Sequence, residues 1–165
     1  MNSDIDDISN KYLTFVLATE EYAIDILRVQ EIKGWSKVTQ IPNTPNYVCG
    51  VINLRGTIVP IVDLRLRFNL DYQEYSSMTV VVVVNVISQN GKERIMGVVV
   101  DGVSDVYDVT ETEIKPPPDF GSVISTEFVE GLATVSDKMV IVLDIDKLLN
   151  SDELAIIDGL SQSGI

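Results

Sequence analysis

The chain has no histidine among its 165 residues. Imidazole exchanges protons near neutrality and ligates metals as a neutral nitrogen, so its absence excludes Ser-His-Asp and Cys-His catalysis and imidazole zinc sites. Cysteine is almost as scarce, and Cys49 alone closes no internal disulfide. Basic residues are outnumbered, 12 against 25 acidic ones, for a net charge of −13. A surface so acidic repels phosphate backbones and anionic lipid, which argues against nucleic acid as a partner and against direct membrane insertion. Long apolar runs are missing as well. The longest, Val80 to Val84, falls far short of the roughly 20 residues a bilayer-spanning helix needs. The start, Met1-Asn2-Ser3-Asp4-Ile5-Asp6-Asp7, is acidic where a secretory signal is basic and then apolar, so a cytoplasmic protein is expected. Gly50 to Gly56 carries neither a Gly-x-Gly-x-x-Gly pattern nor a Lys-Ser/Thr ending, which disfavours a nucleotide-cradling loop.

What is present is enough for a core. Hydrophobic residues make up 45% of the chain, and a chain of this length buries on the order of 70% of its unfolded surface. Residues 1–10 read as a flexible arm, with folding beginning near Lys11. Tyr12 to Leu17 and Tyr22 to Ile24 pattern as a strand hairpin turning at Glu20-Glu21. From Asp25 the period changes. Ile26 and Val29 fit a short helix capped by Asp25, while Val29 to Ile32 fits a strand equally well, and Gly34 ends either. Ile41-Pro42-Asn43-Thr44-Pro45 reads as an extended connector, since proline fixes φ and excludes helix before it. Val48 to Leu64 reads as two strands joined at Asn53 to Gly56, with Pro60 placing the second at an edge or a bulge. Val80 to Val86, apolar on both faces, belongs at the centre, and Asn90-Gly91 turns it into Ile95 to Val100. Val103 to Val109 alternates, and Pro116-Pro117-Pro118 stiffens the loop after it. Val129 to Val135 and Met139 to Leu143 flank a Ser136-Asp137 turn, and Ser151 caps a helix with Leu154, Ile157 and Leu160 on one face. No internal repeat stands out. Many short strands with little helix indicate a mainly β fold that closes more readily as two small barrels than as one wide one.

Few residues suggest chemistry. Asp101, Asp105 and Asp108 lack the spacing of a calcium loop and read better as solvent-facing acids. Asp63 and Asp101 as paired acid and base would define an enzyme, but sequence alone does not bring them together. Cys49 lies among apolar neighbours with no cation to activate it. Trp35 reads as a half-buried packing residue or a partner anchor. Arg55, at the tip of an apolar turn, needs an anion, either Glu31 within the chain or a carboxylate at an interface. Val29, Ile32, Val103 and Val106 read as core residues or, if exposed, as a docking strip.

Several ordered motifs resemble the CheW family of bacterial chemotaxis coupling proteins: Asp25-Ile26-Leu27-Arg28-Val29-Gln30-Glu31-Ile32, Gly50-Val51-Ile52-Asn53-Leu54-Arg55-Gly56, Pro60-Ile61-Val62-Asp63-Leu64-Arg65 and Val98 to Val106. The resemblance runs from about Lys11 to Leu149 and into the Lys147-Leu148-Leu149-Asn150 helix. It implies two intertwined five-stranded SH3-like β-barrels with short helices and a C-terminal helix, and a division into an arm over 1–10, the family domain over 11–150 and a helix and tail over 151–165. It implies no catalysis and no cofactor or metal. The implied partners are the regulatory domain of the kinase CheA, the cytoplasmic tip of methyl-accepting chemotaxis receptors, and other family copies in array rings at the inner face of the membrane. Carried over by motif position, Val29, Glu31, Gly50, Arg55, Val80 and Val106 are the implied receptor or array contacts. Ile41, Asn43, Val51 and Leu64 are the implied CheA contacts. An adaptor in a parallel, non-motility sensory pathway is the neighbouring alternative.

Overall fold

The computed structural model describes residues 9–117 and 127–150. Ten strands form two five-stranded sheets: β1 (Ser9–Leu17), β2 (Glu20–Asp25), β3 (Val29–Gly34), β4 (Val48–Leu54), β5 (Thr57–Asp63), β6 (Val80–Ile87), β7 (Glu93–Val100), β8 (Gly102–Thr110), β9 (Val129–Val135) and β10 (Lys138–Leu143). The first sheet has the order β8-β1-β2-β10-β9, and the second β3-β6-β7-β5-β4. Among the described residues, helix is confined to α1 (Leu64–Arg67), α2 (Ile145–Leu149) and two 3₁₀ turns at Ile26–Arg28 and Glu111–Glu113. The chain therefore begins in the first sheet, builds the whole of the second, and returns to complete the first.

Alternation of side chains divides the apolar residues into three clusters. On β6, Val81 and Val83 point into the second barrel with Leu54, Val59, Ile61 and Val99, while Val82, Val84 and Val86 point outward. There they meet Leu13, Phe15, Leu17 and Ile24 of the first sheet in a core shared by both sheets. Tyr12, Ala23, Val109, Ala133, Val140 and Val142 fill the interior of the first barrel. This is why Val80 to Val86 is apolar on both faces: a strand with a core on each side has no solvent face.

Each sheet curls until its two edge strands nearly meet. Beyond β3, Thr39 bridges to Val51 of β4; beyond β8, Lys115 bridges to Leu132 of β9. A glycine permits each approach. A Cβ on Gly50 would lie 2.2 Å from the Thr39 carbonyl oxygen, and one on Gly131 would lie 2.5 Å from that of Lys115.

The correspondence is general. Renaming β8, β9, β10, β1 and β2 as β3, β4, β5, β6 and β7 turns one strand order into the other. The parallel pairs agree, Ile61 opposite Gly97 and Val142 opposite Ala23. So do the two-residue hairpin turns, where Arg55 and Gly56 (φ 51° and 91°) match Ser136 and Asp137 (49° and 64°). The Asp63 N–H donates to the Tyr47 carbonyl at 2.7 Å, and the Asp144 N–H to that of Phe128 at 2.9 Å. Asp63 and Asp144 then accept a backbone N–H of α1 and α2 respectively. The fold contains one unit twice, circularly permuted, with Arg67 lying 5.3 Å from the rings of both Tyr47 and Phe128. The absence of an evident repeat in the sequence is thus corrected: along 48–68 and 129–149 the residues align without gaps, yet few are identical, among them Val48/Val129, Gly50/Gly131, Val59/Val140 and Asp63/Asp144.

Other expectations shift locally. The first hairpin turns at Ala18-Thr19, with Ala18 at φ 58°, and Glu20-Glu21 open β2 instead. The Asp25 segment takes both proposed forms in succession, a single 3₁₀ turn capped by Asp25 and then a strand. The connector at Ile41 is not uniformly extended, because Pro42-Asn43 forms a turn with Asn43 at φ 62° and Thr44 Oγ1 donates to the Ile41 carbonyl at 3.0 Å. Pro60 is in an inner strand rather than at an edge. Its partner Val51 turns both its N–H and its carbonyl to Thr39, and the ladder to β7 begins only at Ile61, so the missing proline N–H costs neither ladder a bond. Ser9 and Asn10, placed in the arm by sequence, are the first residues of β1. The rest of that arm, Pro118 and the Ser151 helix with Leu154, Ile157 and Leu160 fall outside the described residues.

Candidate functional site

Arg55 occupies the tip of the β4–β5 hairpin. Asn53 Oδ1 accepts the Gly56 N–H at 2.8 Å and fixes the turn. From there the Arg55 guanidinium pairs with Glu31 of β3, across the gap where the second barrel closes. The arginine side chain is 68% exposed and the glutamate 29%. Such a pair adds little to stability in water, so it stays open to exchange with a partner carboxylate.

Val29 and Val80 lie at opposite ends of the β3–β6 ladder, opposite Val84 and Gly34 respectively. Both are half-buried against the shared core, as is Val103. Ile32 and Val106 are 46% and 43% exposed. The proposed strip of Val29, Ile32, Val103 and Val106 therefore splits into two half-buried members and two exposed ones. Val106 is on the first sheet, opposite Leu13, while Val29, Glu31, Arg55 and Val80 belong to the second.

Two site expectations need correcting. Gly50 is buried beneath the Thr39 carbonyl, at φ 145°, and serves barrel closure rather than direct contact. Leu64 is fully buried in the shared core and presents no surface to CheA. Of the remaining CheA candidates, Asn43 is exposed and Ile41 and Val51 are half-buried, with the Val51 backbone committed to Thr39 at 2.9 Å in both directions.

The acids considered for catalysis do approach one another, lining a cavity of about 70 Å³ with Arg65 and Tyr75. Each is already held by one of these two neighbours. Asp63 accepts the Tyr75 hydroxyl at 2.5 Å, and Asp101 accepts Arg65 through two bonds of 2.7 and 2.6 Å. Asp108 pairs with Lys11, and Asp105 accepts the Val106 N–H, so the Asp101, Asp105 and Asp108 set shares no centre. No cluster of potential metal ligands occurs among the described residues.

A surface that sequence reasoning missed flanks the second barrel. Trp35, Cys49, Tyr72 and Tyr75 line an open groove of about 770 Å³, with Trp35 and Tyr75 ring centroids 4.1 Å apart. Trp35 alone was legible as a partner anchor; Cys49 was read only as a residue without chemistry, and Tyr72 and Tyr75 come from the loop after α1, where aromatic residues give no periodic signal. Burial pushes the Cys49 thiol up to about 11, although the Tyr75 hydroxyl 3.3 Å away works the other way. Burial, and then donation to Asp63, raises the Tyr75 hydroxyl well above its ordinary value.

The fold is a double five-stranded β architecture, with Arg55, Ile32 and Val106 exposed on it. Among the described residues no helix is long and apolar enough to cross a membrane. The family model of the CheW-like domain matches residues 11–153, and the chain belongs to that family. It is 46% identical over 156 residues to the chemotaxis protein CheW of Klebsiella aerogenes, covering 94% of this chain and 91% of that one. To the chemotaxis protein CheW of Rhizobium meliloti it is 35% identical over 141 residues, with 86% and 88% covered. The crystal structure of the scaffolding protein TtCheW from Thermoanaerobacter tengcongensis superposes with a TM-score of 0.77 at 36% identity, covering 88% of this chain and 96% of that one.

Proposed function

We propose that the chain is a non-catalytic adaptor coupling methyl-accepting chemotaxis receptors to the histidine kinase CheA, acting in the cytoplasm at receptor arrays. The observation that carries this reading is the near end-to-end match to chemotaxis CheW proteins. The geometry supports it, since the acids best placed for catalysis are neutralised or hydrogen-bonded within the fold, while Arg55, Ile32 and Val106 face outward. Val29, Glu31, Arg55, Val80 and Val106 are the receptor or array contacts. Ile41, Asn43 and Val51 are the CheA contacts, and array rings supply further copies as neighbours. A receptor helix fits the helix-in-groove mode, its apolar anchors meeting the half-buried valines and an acid meeting Arg55. An interface of about 1,200 Å² gives roughly micromolar affinity, and the multivalent array adds avidity. Arg55→Ala tests the reading in a pull-down with receptor fragments: weaker capture with an unchanged β spectrum is expected, and undiminished capture removes Arg55 from the site.

A further inference from the structure

The two halves are tied together by two charged pairs in corresponding places but of opposite polarity. Arg65, the second residue of α1, forks onto Asp101 just beyond β7, Nε to Oδ1 at 2.7 Å and Nη2 to Oδ2 at 2.6 Å. Asp101 then reaches the other sheet at the end of β1: its carboxylate accepts the Ala18 N–H at 2.7 Å, and its own N–H donates to the Val16 carbonyl at 3.0 Å. In the other half, the second residue of α2 is an acid, Asp146. It accepts both terminal nitrogens of Arg28, just beyond β2, at 2.7 and 2.5 Å. This pair reaches the end of β6, where Asp146 accepts the Ile87 N–H at 2.8 Å and Arg28 donates to the Asn85 carbonyl at 3.0 Å. The strand pairings make Ile87 and Asn85 the counterparts of Ala18 and Val16, and place Arg28 one residue beyond the counterpart of Asp101.

The four groups thus perform one task twice. A carboxylate holds an N–H at the end of an inner strand of the other sheet, Ala18 just past β1 and Ile87 closing β6, and an arginine neutralises it. All four side chains are at most 27% exposed, so a lone survivor of either pair would be a poorly solvated charge. We infer that these are two copies of one clamp in which arginine and carboxylate have changed places, and that together they fix the angle between the barrels.

Exchanging the residues of one clamp tests this in the full chain without altering net charge. Arg65→Asp and Asp101→Arg are made singly and together, in a Cys49→Ser background with spin labels on Ile58→Cys and Met139→Cys. These positions are exposed and correspond, one on each sheet. Each single variant should lower Tm by about 5 °C or more and broaden the label–label distance distribution. The double variant should recover most of both, because it recreates the polarity of the Arg28–Asp146 clamp. A double variant no better than the worse single one overturns the inference, as do single variants that leave both readouts unchanged. Should a single variant not fold, a folded double variant supports the clamp and an unfolded one overturns it.

Discussion

Arg55 adopts φ 51° because a two-residue hairpin turn matched to strand twist requires positive φ at both positions. That conformation holds the guanidinium over β3, where Glu31 meets it. Removing the side chain at Glu31→Ala should change unfolding free energy by no more than about 1 kcal/mol, the range of exposed pairs, while receptor capture falls; denaturant titration beside a pull-down separates the two. Cys49 carries the opposite expectation. With its thiol pushed from 9.0 up to about 11, the thiolate at pH 8 is about a hundredfold scarcer than for an unshifted thiol, so alkylation of the native protein should be slow by a similar factor and should recover on unfolding. The Arg55–Glu31 pairing was legible in the sequence as one of two alternatives, because an arginine on an apolar turn needs an anion. The roles of Gly50 and Leu64 were not, because motif position says nothing about which way a residue faces in a closed barrel.

The elements that sequence located best are those with a core on one side and solvent on the other, such as β8, or joined by a short polar turn, such as β9 and β10 around Ser136-Asp137. It erred where tertiary pairing overrode a local rule. Pro60 is excluded from inner strands by its missing N–H, yet Thr39 occupies Val51 and the β7 ladder starts one residue later, so no donor is missed at that position. The closing glycines provide a direct test of the element-level account. Gly50→Ala should destabilise by at least about 2 kcal/mol, combining backbone strain with the clash at Thr39. Gly131→Ala should also destabilise through the Lys115 carbonyl, whereas Gly34→Ala, with open space around its Cβ position, should cost far less. Equal effects at all three would contradict the close approach of the edge strands.

On the scale of the whole molecule, the duplicated unit explains what composition alone could not. The repeat is hidden because its first half begins inside the chain, and because apolar residues exchange freely for one another at matched positions. The two-barrel arrangement itself was reached through family resemblance and strand count, and the shared core shows why it holds: Phe68 of the second half stacks between Tyr22 and Phe128 of the first, and Tyr22 stacks in turn on Phe15. Acid should loosen this union. Burial works against ionisation of Asp146, but Arg28 and the Ile87 N–H outweigh it and hold the carboxyl below its ordinary value. The folded state is therefore favoured above about pH 4, where the unfolded carboxyl is ionised, and that contribution is lost as pH falls through the depressed value. Arg28→Met should flatten the decline in stability between pH 5 and pH 2, as followed by denaturant titration at each pH. The adaptor role itself is tested most directly by sedimenting the purified chain with receptor-bearing membranes, with and without CheA, while CheA autophosphorylation is followed. Coupling predicts that the kinase sediments and is activated only when receptor, kinase and this chain are all present. A folded chain that binds neither partner, or a kinase activated equally without it, would contradict the account.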